Sequence, residues 1–204
     1  MTFVPEGLAS SLAGSGLRIV EDRDNSDYIY LRSDLADLGG RRLHRKRNLV
    51  RRFEEHWPDW TFESVDPASR QECLDFMNDW CAEQDCPSNL QLEFEVEALR
   101  TWIRWMEELP MLACALRVGG RMIGLAAGEP HGKDVFVQHY EKGLREFEGA
   151  SQLICREFSR RVPREFAWIN REQDAGSEGL RRAKESYFPT RLEPAFTVRP
   201  ASGP

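Results

Sequence analysis

The sequence predicts an α/β (α+β) fold with a central, mostly antiparallel mixed sheet and helices on both faces. Three observations predict it. Some segments place apolar residues at helical spacing and others alternate them, the two kinds are interleaved along the chain, and three strand-like runs in the middle follow one another without a helix between them. The 204 residues, 41% hydrophobic and 30% charged, suit one ordinary domain, or one and part of a second, whose core needs neither metal nor disulfide support.

Residues 17 to 31, LRIVEDRDNSDYIYL, give two short β-like runs around a polar turn. A basic helix follows from about Asp34 to His56, interrupted at Gly39-Gly40 because paired glycines weaken a helix interior. WTFES reads as a strand. DPASRQECLDFMNDWCAEQ opens with an Asp cap and a Pro at the first helical position, and sets Cys73, Leu74, Met77 and Trp80 on its apolar side. EFEVEALRTWIRWMEEL sets Phe94, Ala98, Trp102 and either Trp105 or Met106 on one face. MLACALRV and RMIGLAAGE flank Gly119-Gly120 as a hairpin, and DVFVQHYEK continues the meander after the PHGK turn. A helix in REFEGASQLICREFSRRV, a strand EFAWIN, a short helix SEGLRRAKESYF and a closing strand RLEPAFTV complete the order, and residues 199–204 are expected to form a disordered tail.

Composition excludes several classes. No apolar run approaches the length of a bilayer span, and the amino terminus lacks a positive region ahead of an apolar stretch, so a cytoplasmic protein is expected, with peripheral membrane contact left open. Five cysteines, an odd number with no C-x-x-C pair, point to reduced thiols and to no zinc site. No metal or flavin is implied.

The order strand, helix, helix, three-stranded meander, helix, strand, helix, strand is that of the acetyltransferase-like GNAT fold. Two blocks, EDRDNSDYIYLRSDLADLGGRRLHRKRNLVRRFEEHWPDW and NREQDAGSEGLRRAKESYFPTRLEPAFTV, resemble the signature blocks of the DUF2156 family, and the resemblance runs from about Leu17 to Val198. That family is related to the carboxy-terminal domain of bacterial phosphatidylglycerol lysyltransferases, which use aminoacyl-tRNA as donor. The resemblance implies a GNAT-like transferase domain over residues 17–198. It also implies that residues 1–16, with PEGLASSLAG, are the end of a preceding GNAT-like domain.

The segment GRRLHRKRNLVRRFEEHW places seven Arg or Lys and one His in positions 41 to 52 of a chain with net charge -6. At about 100° per residue, Leu43, Leu49, Val50, Phe53 and Trp57 form the buried side, and Arg41, His44, Arg45, Asn48, Arg51 and Arg52 the opposite one. Lys46 falls in the apolar sector, where it either snorkels or enters a pocket. The outer side is either a solvated face offset by Glu54, Glu55, Asp34 and Asp37 or an anion-binding face, and Arg favours phosphate through its planar fork. On the second reading Arg41, Arg45 and Arg52 hold phosphate outside, while Lys46, Arg47 and Asn48 turn toward a cleft shared with Asn170, Arg171 and Glu172. The ligand is then tRNA or another phosphate-bearing molecule.

GLREFEGASQLICREF resembles the GNAT turn that rests the pyrophosphate of coenzyme A on backbone amides at a helix start, with Arg145, Gly149, Ala150 and Ser151 in that role. Glu146 and Glu148 bring negative charge where phosphates would sit, so an ordinary helix start is the equal alternative. In DVFVQHYEK strict alternation puts Val135, Val137, His139 and Glu141 on one face, with His139 or Glu141 as a base for an attacking amine, or simply as a hydrogen-bonded pair; Glu129 is a third candidate base. The last block resembles the GNAT element in which a strand ends in Asn and a later Tyr donates to the leaving group, here Asn170 and Tyr187. Arg171, Glu172 and Lys184 lie along the same edge, unless Asp174 and Ser177 merely cap a turn. The expected function is transfer of an acyl or aminoacyl group, from aminoacyl-tRNA or less favourably from acyl-CoA, to an amine or hydroxyl. The competing expectation is a noncatalytic module whose basic groove holds nucleic acid or a phosphorylated ligand.

Overall fold

The computed structural model describes residues 1–84, Cys86, 90–109 and 111–201. The chain forms two compact units, one made of Met1–Leu31 with Trp168–Pro204, the other of Arg32–Ala167.

In the first unit, β1 (Val4–Pro5) and α1 (Glu6–Ser11) precede the long strand β2 (Leu17–Leu31); β7 (Trp168–Asn170), α7 (Glu178–Glu185) and β8 (Arg191–Pro200) return from the far end of the sequence. The strand order is β1-β8-β2-β7, every pair antiparallel. The two runs expected in residues 17 to 31 are one strand, because the polar DRDNS stretch is absorbed as an irregularity between Asp22 and Asp27. Residues 1–16 pack within this unit: Val4, Ala9 and Val198 are buried together, with Leu12, Leu17, Ile19 and Phe196 around them. Strand β8 takes in Arg199 and Pro200 of the expected tail, whose residues 202–204 lie outside the described residues.

The second unit contains α2 (Arg32–Asp37), α3 (His44–His56), β3 (Thr61–Ser64), α4 (Arg70–Gln84), α5 (Leu90–Arg104), β4 (Leu112–Val118), β5 (Arg121–His131), β6 (Val135–Gly143) and α6 (Ala150–Arg161). Its strands run β6-β5-β4-β3, all antiparallel. The helical pattern breaks at Gly39-Gly40 as expected, and Gly119 and Gly120 both take positive φ, 56° and 82°, which a tight two-residue hairpin with the twist of its strands requires. Residues Met122 to Gly128 of β5 are buried throughout, so both faces of this sheet are covered. The face carrying Gly124 and its partner Gly143 receives Ile154 of α6. On the other, Lys142 stacks its ammonium over Trp80 of α4 at 4.5 Å and pairs with Glu95 of α5 at 2.5 Å.

Two helix faces differ from expectation. In α4 the buried residues are Cys73, Phe76, Met77 and Trp80, with Leu74 half-buried. In α5 the core side is Val96, Leu99, Trp102, Ile103 and Met106, whereas Phe94 is 68% and Trp105 54% exposed. Trp102 and Met106 are buried as expected, whereas Phe94 and Ala98 give way to Val96 and Leu99, offset by one or two positions, which the periodicity accommodates equally well.

The thiols divide. Cys73, Cys114 and Cys155 are buried outside any disulfide, and burial pushes the thiols of Cys73 and Cys114 up to about 11, so those two are inert. Cys81 and Cys86 are joined by a disulfide, Cα atoms 5.2 Å apart, which corrects the expectation of five reduced thiols. Cys81 lies in the last turns of α4 and Cys86 five positions further on, a spacing that no motif signals.

Leu99 is fully buried, so Leu99→Ala is expected to cost about 2 to 5 kcal/mol in chemical denaturation. Phe94→Ala is expected to stay within about 0.5 kcal/mol. The reverse ranking would restore the aromatic face as the core side.

Candidate functional site

Strand β7 ends at Asn170, and the residues after it are held against β2. The Arg171 N–H donates to the Tyr28 carbonyl (3.0 Å) and the Tyr28 N–H to the Glu172 carbonyl (3.2 Å). Glu172 takes a positive φ of 56°, which strains a residue with a Cβ. Lys184 of α7, 8% exposed, offsets that strain by donating its ammonium to the carbonyls of Arg171 and Glu172, the latter at 3.1 Å. The side-chain carbonyl of Asn170 accepts from the Glu172 N–H at 2.7 Å, and its amide donates to Asp27 at 2.8 Å. The Arg171 guanidinium lies 5.6 Å from the ring centre of Tyr30 and 5.0 Å from that of Tyr187, the geometry of cation–π contacts with both. Asn170, Arg171, Glu172, Lys184 and Tyr187 are therefore brought together.

Behind them sits Asp174, with none of its surface exposed. Burial pushes its carboxyl up, but hydrogen bonds from Arg181, Tyr28 (2.6 Å) and the Gly176 N–H (3.0 Å) outweigh burial and hold it well below the usual carboxylate range. Arg23 adds an ion pair at 3.3 Å and donates to the Tyr28 hydroxyl at 2.9 Å. Arg181 also reaches Asp24 at 2.7 Å. Asp27 is the opposite case. It is half-buried, directly across the ladder from Glu193, and burial raises its carboxyl above the ordinary value despite the Asn170 bond. A carboxyl raised by burial and fixed by one amide is equipped for proton transfer. Asp27, Arg23, Tyr28, Tyr30 and Arg181 escaped the sequence reading, although alternation already placed Tyr28 and Tyr30 on one face.

In the second unit the register shifts between β5 and β6, with Ala127 opposite Tyr140 and Gly128 opposite Gln138, so His139 is an extra residue. The bulge corrects the expected alternation. Phe136, Gln138 and Glu141 now share a face, and Gln138 donates to Glu141 at 2.7 Å. Val137, Tyr140 and Lys142 share the other. His139 meets Glu129 at 3.3 Å, and strict alternation no longer sets His139 and Glu141 on one face.

The glycine turn is engaged in packing. Gly149 takes a φ of 95°, and a Cβ there would fall 2.6 Å from the Leu49 carbonyl oxygen of α3. The Arg145 N–H donates to Glu83 at 2.8 Å and its guanidinium to Gln84, both on α4. Ala150 is buried and Ser151 exposed in the first turn of α6. Arg145 and Gly149 thus face two different helices.

On α3 the expected buried side is observed: Leu43, Val50 and Phe53 are buried, Leu49 and Trp57 partly so, and Lys46 is half-buried. Arg47 donates to the carbonyls of Leu38 and Gly40, tying down the turn before α3. Arg52 pairs with Glu148 at 3.0 Å and Arg51 with Glu55 at 3.6 Å. Arg41 and Arg45 are exposed and have no ion pair among the described residues. Arg47, Asn48, Arg51 and Glu54 line a shallow depression of about 400 Å³ with Asp37 of α2 and Arg156 and Arg160 of α6.

An α/β architecture of antiparallel sheets with the GNAT order of elements, carrying a polar cluster at a strand end, is the class these features define. The chain belongs to the family described as phosphatidylglycerol lysyltransferase, C-terminal, whose model matches residues 1–199. A conserved protein of unknown function from Bacteroides thetaiotaomicron is 35% identical, with a TM-score of 0.92 over 97% of this chain and 68% of that one. The C-terminal domain (DUF2156) of a protein named for lysylphosphatidylglycerol synthetase from Agrobacterium fabrum has a TM-score of 0.67 at 14% identity, over 99% of this chain and 66% of that one. A conserved Staphylococcus epidermidis protein has a TM-score of 0.54 at 11% identity, over 97% and 68%. The chain thus spans about two thirds of the length of these structures. No curated protein matches it. Among the described residues no helix is long and apolar enough to cross a membrane.

Asp174 binds its proton less readily folded than unfolded, so its stabilisation is complete above about pH 4 and is lost as pH falls below that. Asp174→Asn is expected to cost about 2 to 3 kcal/mol at pH 7 and to flatten the acid side of the stability profile. Asp27 has the opposite sign: ionising it costs stability as pH rises through its raised value, so Asp27→Asn should melt at or above the wild-type temperature at pH 7. Thermal melts from pH 3 to 8 check both. Gly149→Val should lower stability by about 1 to 3 kcal/mol, because it combines an unfavourable φ with a backbone clash.

Proposed function

We propose that this chain is a transferase domain that moves an aminoacyl group from aminoacyl-tRNA to a hydroxyl or amine acceptor. The observation that carries the reading is the cluster at the end of β7, where a carboxyl raised by burial, Asp27, is fixed by Asn170 beside the cations Arg171 and Lys184. Membership of a family described by a lysyltransferase supports transfer as the reaction class. Engagement of Arg145 by α4 and of Gly149 by α3 disfavours a coenzyme A pyrophosphate at that turn, which leaves aminoacyl-tRNA ahead of acyl-CoA.

In this reading Asp27 takes the proton from the attacking hydroxyl or amine as its oxygen or nitrogen bonds to the ester carbonyl carbon. The Arg171 guanidinium stabilises the oxyanion that forms, and the ester bond to the tRNA ribose then breaks. The proton held by Asp27 returns to the departing ribose oxygen, or Tyr187 supplies one. His139 beside Glu129, and Glu141 beside Gln138, remain the alternative bases. Arg41 and Arg45 are the proposed contacts to tRNA phosphate, Arg52 being partly neutralised by Glu148.

The test uses phosphatidylglycerol, which the family description names, with lysyl-tRNA as the proposed donor. Wild-type protein is expected to retain lysyl-tRNA on filters, with affinity falling steeply as salt rises, and Arg41→Ala with Arg45→Ala should weaken retention about tenfold or more. Asp27→Asn should leave retention intact and lower the rate of lysyl loss from tRNA at least about 100-fold. Calorimetric binding of coenzyme A without tRNA retention would reverse the donor assignment. Retention without any turnover on this or an amine acceptor would favour the noncatalytic module with a basic groove.

A further inference from the structure

The β2–β8 ladder has two faces of different character. Leu17, Ile19, Phe196 and Val198 point to the side packed by Val4, Ala9 and Leu12. The opposite face carries three cross-strand pairs: Arg18 with Arg199, Val20 with Thr197, and Asp22 with Ala195. Arg18, Val20, Asp22, Thr197 and Arg199, with Glu21, Arg23 and Asp24 of β2, line a depression of about 420 Å³.

Arg18 and Arg199 stand directly opposite each other, both exposed, and neither has an ion pair among the described residues. Like charges directly opposite in an antiparallel pair repel. Of the three acids of the depression, Glu21 stands opposite Phe196 and so by alternation on the other face of the ladder, and the other two are engaged elsewhere. Asp22 accepts from Asn25 at 2.9 Å and from Thr197 at 3.4 Å, and Asp24 is taken by Arg181 at 2.7 Å. Asp22 also lies four residues along the strand, roughly 13 Å away at the usual rise. Two guanidinium groups across one ladder rung present a pair of planar forks to a single tetrahedral anion. Next to them Val20, 45% exposed, offers an apolar floor to whatever carries it.

We propose that the Arg18–Arg199 end of this depression binds a phosphate group, carried either by a small soluble ligand or by a lipid headgroup. It is independent of the cluster around Asp27 and of the basic helix α3.

Melting temperature in sodium phosphate, against sodium chloride at the same ionic strength and pH, is the first measurement. Wild-type protein is expected to gain at least about 2 °C at saturating phosphate. Arg18→Glu turns the repelling rung into an opposite-charge pair, so in chloride it should melt at or above the wild-type temperature and gain nothing from phosphate. Arg199→Gln should likewise lose the gain, and serves if the Glu variant folds poorly. Sedimentation with phosphatidylcholine vesicles, with and without phosphatidic acid, distinguishes the sources. Binding to the doped vesicles that Arg18→Glu abolishes assigns a headgroup, and an arginine-dependent phosphate gain without vesicle binding assigns a soluble ligand. The proposal is overturned if wild type shows neither effect, or if both variants keep the wild-type response.

Discussion

A carboxylate cut off from solvent must be met by donors on every side, and Asp174 imposes that demand on its unit. Its oxygens draw in Arg23 and Tyr28 from β2, Arg181 from α7 and the Gly176 amide from the loop. These elements come from opposite ends of the sequence, and the carboxylate is where their polar groups meet. Once Tyr28 and Arg181 are placed, Arg171, Glu172 and Lys184 have little freedom left. The Lys184 ammonium then serves as a second fixed charge, spent on two main-chain carbonyls. Asp27 differs because its hydrogen bond falls short of its burial, so its carboxyl lies above the usual range where that of Asp174 lies below it.

In both units the direction of key side chains is set where the ladder is interrupted. Between Asp22 and Asp27 the irregularity separates the exposed rungs of β2 from the buried Tyr28–Tyr30 segment. In β6 the extra residue His139 turns Glu141 onto the face of Gln138 and leaves His139 with Glu129. A bulge costs ladder hydrogen bonds, and what it provides is an orientation of side chains that strict alternation forbids.

Much of the fold was legible because it rests on local rules. The glycine pair at 119–120 specifies its hairpin, Gly39-Gly40 stops a helix, Ser177 caps α7, and the apolar sector of α3 is the buried one. The cluster Asn170, Arg171, Glu172, Lys184 and Tyr187 was legible as a polar loop of family-like sequence. What failed was information that resides in pairing. A bulge is a property of two strands, so β6 read alone cannot reveal that Glu141 changes face. Asp27 and Asp174 sit in ordinary acidic stretches, and only burial against distant partners separates a raised carboxyl from a lowered one. The Phe94 error has the same root: helical spacing gives a stripe, and the sheet beneath decides which aliphatic residues fill it. The Cys81–Cys86 bond joins a residue of α4 to one five positions on, a pairing that no spacing motif announces.

The glycines of the second unit differ in what could repair their loss. A side chain at position 149 collides with a main-chain oxygen, that of Leu49, and every amino acid placed at 49 carries the same atom. No second change at 49 can relieve it, so this glycine should have no suppressor at its point of contact. The same holds for Gly128, whose neighbour is the Val137 carbonyl. At Gly124 the nearest obstacle is the tip of Ile154, a side-chain methyl that a shorter residue would remove. Positions 124 and 154 can therefore trade volume through an Ala at 124 with a Val or Ala at 154, whereas 149 and 128 must hold their residue alone.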